Sequence, residues 1–123
     1  MKYIISLVIG FVLALITFIA YGQNWTDEAI ADAIYKAEGG VKAKKPYGIL
    51  SVECNGEAEC RVICLNTIRN NRKRYADYGY KTYDTYLEFL ASRYCPIGAD
   101  NDPKGLNKNW LKNVLYWLNK QGG

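Results

Sequence analysis

The sequence predicts a mainly α-helical (α+β) domain with a short β patch, cross-linked by disulfides. Three observations lead there. Apolar residues recur at helical spacing in four separate stretches, one β-prone run follows Pro46, and all four cysteines lie beyond residue 50.

Ahead of that domain, residues 1–22 read as a signal peptide. Lys2 supplies the positive start, Ile4 to Ala20 is an almost unbroken apolar run, and Ala20-Tyr21-Gly22 offers small residues at the two positions a signal peptidase inspects. The expected cut is before Gln23. The run also approaches the ~18–20 residues that span a bilayer. An uncleaved anchor through residues 4–20, with the domain facing outside, is therefore the competing expectation. Removing the first 22 of 123 residues leaves 101, and loss of Lys2 leaves 15 basic against 12 acidic residues, about +3. At that size one domain, 23–123, is expected, secreted or periplasmic and monomeric.

The first helix is signalled by Thr26 as N-cap, with Asp27 and Glu28 in the first turn. Trp25 and Ile30 occupy the staple positions around the cap. Ile30, Ala33, Ile34 and Ala37 form its apolar stripe, and Gly39-Gly40 ends it. A basic loop with Lys42, Lys44 and Lys45 follows. Tyr47 to Val52 is β-prone and partly alternating, which predicts a short strand or hairpin arm. Asn55-Gly56 marks a turn, and a second helix is expected from about Glu57 to Tyr75 with Cys60, Ile63, Cys64, Thr67 and Ile68 on one side. Residues 76–83 read as loop. A third helix is expected from about Tyr83 to Arg93, and a last one from about Lys108 to Lys120 on the stripe Leu111, Val114, Leu115 and Leu118.

Four cysteines in an exported domain read as two disulfides. Cys54, Cys60, Cys64 and Cys95 allow three pairings, among which the residues do not choose. The pairing favoured is Cys54–Cys60 with Cys64–Cys95, because the second bridge would tie a distant segment to the middle helix. A zinc site is the rival reading. The chain has no histidine and no paired C-x2-C knuckles, so no metal and no cofactor is expected.

The absence of histidine also excludes Ser-His-Asp and Cys-His nucleophile systems. No P-loop and no dinucleotide fingerprint occurs. Chemistry must rest on carboxylates, tyrosines, lysines or backbone donors. Glu38 is the most informative of these. With 100° per residue and Ile30 at zero, Ile34 falls near ~40° and Glu38 near ~80°, on the shoulder of the apolar stripe. A carboxyl half inside a core, at a helix C-terminus, is disfavoured as an anion by both surroundings, so its pKa is expected to rise. The following double glycine would let a polymer approach. That combination suits a general acid for a glycosidic bond; an ordinary helix-edge glutamate paired with Lys42 is the alternative.

Glu38-Gly39, then a basic loop, then Tyr47-Gly48-Ile49, resembles the active-site corner of the lysozyme-like superfamily, and most closely the single-glutamate lytic transglycosylases. The resemblance covers roughly Trp25 to Trp117. It implies a helical core with a small β element and cleavage of β-1,4 glycan strands, commonly peptidoglycan. Only Glu38 carries over as catalytic, with Tyr47, Gly48 and Ile49 matching the β-wall segment that contacts substrate. Many such transglycosylases have serine where this chain has Gly39, and Gly-Leu-Met-Gln where it reads Gly48-Ile49-Leu50-Ser51. The Glu-Gly pair is closer to phage-type lysozymes, but their following aspartate is missing here, the next being Asp77. A lysozyme-type hydrolase and a noncatalytic glycan-binding or inhibitor-like module are the competing expectations, and a secreted helical toxin or interaction protein without a saccharide role is a third.

Tyrosine makes up 11 of the 123 residues, with Tyr75, Tyr78, Tyr80, Tyr83, Tyr86 and Tyr94 in one region. Packing accounts for most of them. Tyr94, held beside Cys95 and Pro96, is the second candidate for substrate binding. Arg69, Arg72, Lys73 and Arg74 form the densest basic patch, read as a solvated helix face, with attraction to an anionic envelope surface favoured over nucleic acid. Asp100, Asn101 and Asp102 read as a turn, since the run lacks the length and terminal glutamate of a calcium loop.

Overall fold

The computed structural model describes residues 24–49, 53–98 and 104–122. The leader expected at residues 1–22 and the turn at residues 100–102 lie outside the described residues. Within them the chain forms α1 (Asp27–Ala37), α2 (Gly56–Asp77), α3 (Tyr86–Tyr94) and α4 (Trp110–Gly122), with single 3-10 turns at Gly40–Lys42, Pro46–Gly48, Gly79–Lys81 and Leu106–Asn109.

Each helix begins or ends where local chemistry dictates. Thr26 Oγ1 accepts from the Ala29 N–H at 3.1 Å, as an N-cap should. Trp25 packs on the core beside buried Ile30, and its carbonyl accepts from Arg72 Nη2. α3 starts three residues later than the apolar pattern suggests, because Thr85 Oγ1 takes the Glu88 N–H at 3.2 Å. Thr85-x-x-Glu88 is a capping-box spacing that outranks the aromatic run before it. α4 likewise starts at Trp110, after a 3-10 turn over the residues expected to begin it.

The core lies between α1, α2 and α4, with α3 closing one side. α1 packs most extensively on α4. Ile30, Ala33 and Ile34 of α1, Cys60, Cys64 and Ile68 of α2, Leu90 of α3, and Val114 and Leu118 of α4 are fully or almost fully buried. Full burial of an isoleucine or leucine is worth about 1.5–3 kcal/mol. Asn71 continues the buried stripe of α2; its amide donates to Thr67 O at 2.9 Å, which removes the cost of burying it.

Two expectations are corrected. No strand occurs among the described residues, so the fold is almost entirely helical and the β patch is absent. Of the stretch expected to form it, Tyr47 and Gly48 belong to the 3-10 turn, Ile49 is extended, and residues 50–52 lie outside the described residues. The reason is the backbone: Tyr47 has φ 61° and Gly48 φ 65°, and two successive left-handed residues cannot continue a pleated strand. The second correction concerns the disulfides. Cys54–Cys60 is bridged, but the expected Cys64–Cys95 bridge is not formed. Cys64 is a buried thiol whose sulfur faces the Tyr94 hydroxyl at 3.7 Å. No helix among the described residues is long and apolar enough to cross a membrane.

Candidate active site

Glu38 is the C-cap of α1. Its N–H bonds to Ile34 O at 2.9 Å, and Gly39 then takes φ 111°, the left-handed conformation that glycine adopts without steric cost. The chain is thereby turned off the helix axis, and the Pro46–Gly48 turn comes back over the Glu38 side chain. A Cβ placed on Gly48 would lie 2.6 Å from Cδ of Glu38 and 2.8 and 2.9 Å from its two oxygens. Position 48 therefore has to be glycine for the turn to lie flat against the carboxyl group.

Tyr47 anchors that turn. It is the one described non-glycine residue with positive φ, a conformation costing about 1–2 kcal/mol, and it is 2% exposed. Three neighbours hold it. Arg61 Nη1 donates to the Tyr47 hydroxyl at 3.1 Å and to Asp32 Oδ1 at 2.7 Å. The Tyr35 ring lies 5.2 Å away, itself donating to Glu57 Oε2 at 3.3 Å. The Tyr94 hydroxyl donates to the Tyr47 carbonyl.

The other wall comes from α4. Trp110 is 5% exposed, and its indole N–H donates to Glu38 Oε1 at 2.9 Å. The Tyr94 ring stacks on the Trp110 indole, with centroids 5.1 Å apart and planes inclined by 25°. One chain of contacts thus runs from Glu38 through Trp110 and Tyr94 to Tyr47 and back to Gly48.

The electrostatics follow from this enclosure. Burial holds the Glu38 carboxyl above its ordinary range, and the Trp110 hydrogen bond, which favours the anion, partly opposes it. Among the described residues no second carboxylate contributes to its titration. Burial pushes the neighbouring Cys64 thiol up to about 11 and raises the Tyr94 phenol well above its ordinary value. Both stay neutral at physiological pH, so Glu38 is the titrating group of this cluster.

Of the residues singled out in the sequence, Glu38, Tyr47, Gly48 and Tyr94 are brought together. Ile49 is adjacent in the chain but turned into the core at 7% exposure. Tyr94 spends its hydroxyl on the Tyr47 carbonyl and its ring on Trp110, so it supports the site from below. Trp110 was not singled out. Its signal was available: it shares the buried stripe of Val114 and Leu118 at i, i+4, i+8, and a buried indole N–H requires an acceptor. A cleft of about 320 Å³ adjoins the turn, lined by Lys44, Lys45, Pro46, Ile49 and Glu53 among others. A larger one of about 460 Å³ lies at the opposite end of α1, by Trp25, Arg72 and Tyr86, away from Glu38.

The remaining candidates have structural duties. Tyr75, Tyr78 and Tyr83 pack around the Phe89 ring. Tyr86 donates to Ile68 O at 2.7 Å. Arg72 bonds Asp27 and lies over the Tyr86 ring, and Arg69 pairs with Asp27 and Glu28. Arg69, Lys73 and Arg74 are exposed, with Arg74 donating to Asn71 Oδ1 at 3.4 Å. Among the described residues no cluster of three or more acidic or cysteine side chains is arranged to hold a metal ion. No family model matches the chain, and no curated protein or solved structure matches it.

Proposed function

We propose that the protein cleaves β-1,4 glycan strands, peptidoglycan above all, as a lytic transglycosylase with Glu38 as its single general acid and base. The observation that carries this reading is a carboxyl group with a raised pKa, half-buried at a helix end, covered by a turn whose glycine leaves no side chain over it. Such a group is protonated closer to neutrality than a solvated glutamate, as a general acid must be. The resemblance of Glu38-Gly39 and Tyr47-Gly48-Ile49 to the single-glutamate transglycosylases points the same way.

In this reaction Glu38 gives its proton to the glycosidic oxygen as the bond from that oxygen to the anomeric carbon breaks. The resulting carboxylate takes the proton of the C6 hydroxyl, whose oxygen closes a 1,6-anhydro ring on the same carbon. One carboxyl group completes the cycle. Ordinary hydrolysis commonly uses two, and none other acts on Glu38 among the described residues. The leader sequence supports action outside the cytoplasm, in the periplasm or secreted; N-terminal sequencing of exported protein should begin at Gln23, and recovery of residues 1–22 in a membrane fraction would favour the anchor.

The decisive experiment compares wild type with Glu38→Gln on purified peptidoglycan, followed by mass analysis of the muropeptides. The amide keeps the shape but has no acidic proton to give, so turnover should fall by roughly 10²–10⁴ while fold and glycan binding persist. Hydrated reducing ends would instead make the enzyme a lysozyme-type hydrolase. Glycan binding without turnover in the wild type would make it a noncatalytic module.

A further inference from the structure

The Glu38 carboxyl is held from one side only. Trp110 donates to Oε1 at 2.9 Å, whereas nothing among the described residues donates to Oε2. In the neutral acid the carbonyl oxygen is the stronger acceptor, so an N–H donated to Oε1 favours the proton on Oε2. The donor is itself fixed. Trp110 is 5% exposed and is the first residue of α4, with Val114 and Leu118 locking the helix face below it. Its ring is stacked on Tyr94, and the Tyr94 hydroxyl is tied to the carbonyl of Tyr47.

We infer that Trp110 is a positioning residue that selects Oε2 of Glu38 as the proton-carrying oxygen, and that Tyr94 couples this selection to the Tyr47-Gly48 turn covering the site. The inference rests on the proposed general-acid role of Glu38 for its use in catalysis, but the Trp110–Glu38 contact can be judged separately. Positioned groups matter because a misplaced proton donor loses rate even when its chemistry is intact. The Trp110 bond also has a second consequence. It favours the anion against the burial that disfavours it, so the same contact that orients the acid keeps it able to release its proton. The groups facing Glu38 from the other elements do not compete: Cys64 of α2 and Tyr94 of α3 are both neutral in the working range, and Tyr47 of the turn meets Arg61 instead.

The test is Trp110→Phe, which keeps an aromatic ring against Tyr94 and deletes the N–H, alongside semisynthetic protein with benzothiophene in place of the Trp110 indole, which keeps the bicyclic shape as well. Two readouts are taken: the titration of Glu38 followed by carbon NMR of labelled glutamate, and the pH dependence of muropeptide release. The Glu38 midpoint should rise in both variants, the alkaline limb of the activity profile should move to higher pH with it, and the maximal rate should fall about 10- to 100-fold. A residue that only supports the fold would lower the rate without moving either midpoint. An unchanged Glu38 titration in the benzothiophene protein overturns the inference. If the wild type releases no muropeptides at all, the glycosidase reading fails, and the NMR titration alone decides whether Trp110 governs Glu38.

Discussion

Replacing Gly48 by alanine tests the site geometry most sharply. The added carbon would lie 2.6 Å from Glu38 Cδ, whereas non-bonded carbons sit at about 3.5–4.0 Å. The turn or the carboxyl group must therefore retreat by about 1 Å. The substitution also places a side chain at φ 65°, which costs about 1–2 kcal/mol and is offset by up to ~1 kcal/mol from the lower entropy of the unfolded chain. With the collision added, a net loss of about 2 kcal/mol is expected, or roughly 10 °C in melting temperature for a domain of this size. A displacement of that order at a reacting group costs about 100-fold in rate. Gly56→Ala is the control, because Gly56 also has positive φ but a Cβ there meets nothing within 4 Å. It should lose stability from backbone strain and keep its activity. The assays are thermal melting and peptidoglycan turbidity at a temperature where all three proteins are folded. If Gly48→Ala turns over at the wild-type rate, or loses only what Gly56→Ala loses, the carboxyl group is not confined as described and the catalytic reading of this corner falls with it.

Two further outcomes are expected. Because the folded protein holds the Glu38 proton more tightly than the ordinary carboxyl value of 4.5, stability must fall as pH rises from about that value through the folded pKa. Glu38→Gln should lack this slope and gain on the wild type across the window, and denaturant titrations of both proteins at several pH values would show parallel curves if the reasoning is wrong. Removing the Cys54–Cys60 bridge by a double serine substitution should cost about 2 kcal/mol, the loop-closure value for so short a loop. A denaturation midpoint unchanged by the substitution would show that the start of α2 is ordered without it.

How far the sequence could be read depended on whether the signal was local. α1 was legible to the residue, since Thr26, the Ile30-Ile34 stripe and the Gly39-Gly40 stop are all consecutive statements about one helix. Glu38 was placed on the edge of the core by the same periodicity, and the structure has it half-buried there. The residue types of the Tyr47–Val52 run favour a strand, yet Pro46 and the left-handed Tyr47 begin it as a turn, with Tyr47 held by Arg61 and Tyr94 from 14 and 47 positions away. No propensity scale includes such partners. The role of Trp110 is not legible in the sequence for a related reason. Its place in a stripe marks it as buried, but that its N–H finds Glu38, 72 residues earlier, is a fact of packing. The Cys64–Cys95 pairing failed similarly: even cysteine counts in exported domains favour bridges, whereas the position of Cys64 against Tyr94 is set by how α3 lies on α2.

That buried thiol gives the protein an internal clock. Cys64 is 0% exposed, and with its thiol held near 11 little of it is the reactive thiolate at neutral pH. A thiol reagent reaches it only when the core opens locally, and an opening that lifts α3 from α2 also breaks the Tyr94 contacts with Trp110 and the Tyr47 carbonyl. The labelling rate of Cys64 therefore counts openings of the core around the candidate site. It does so on unmodified protein, without substrate, and a glycan that closes the site on binding would slow the count in proportion to its occupancy.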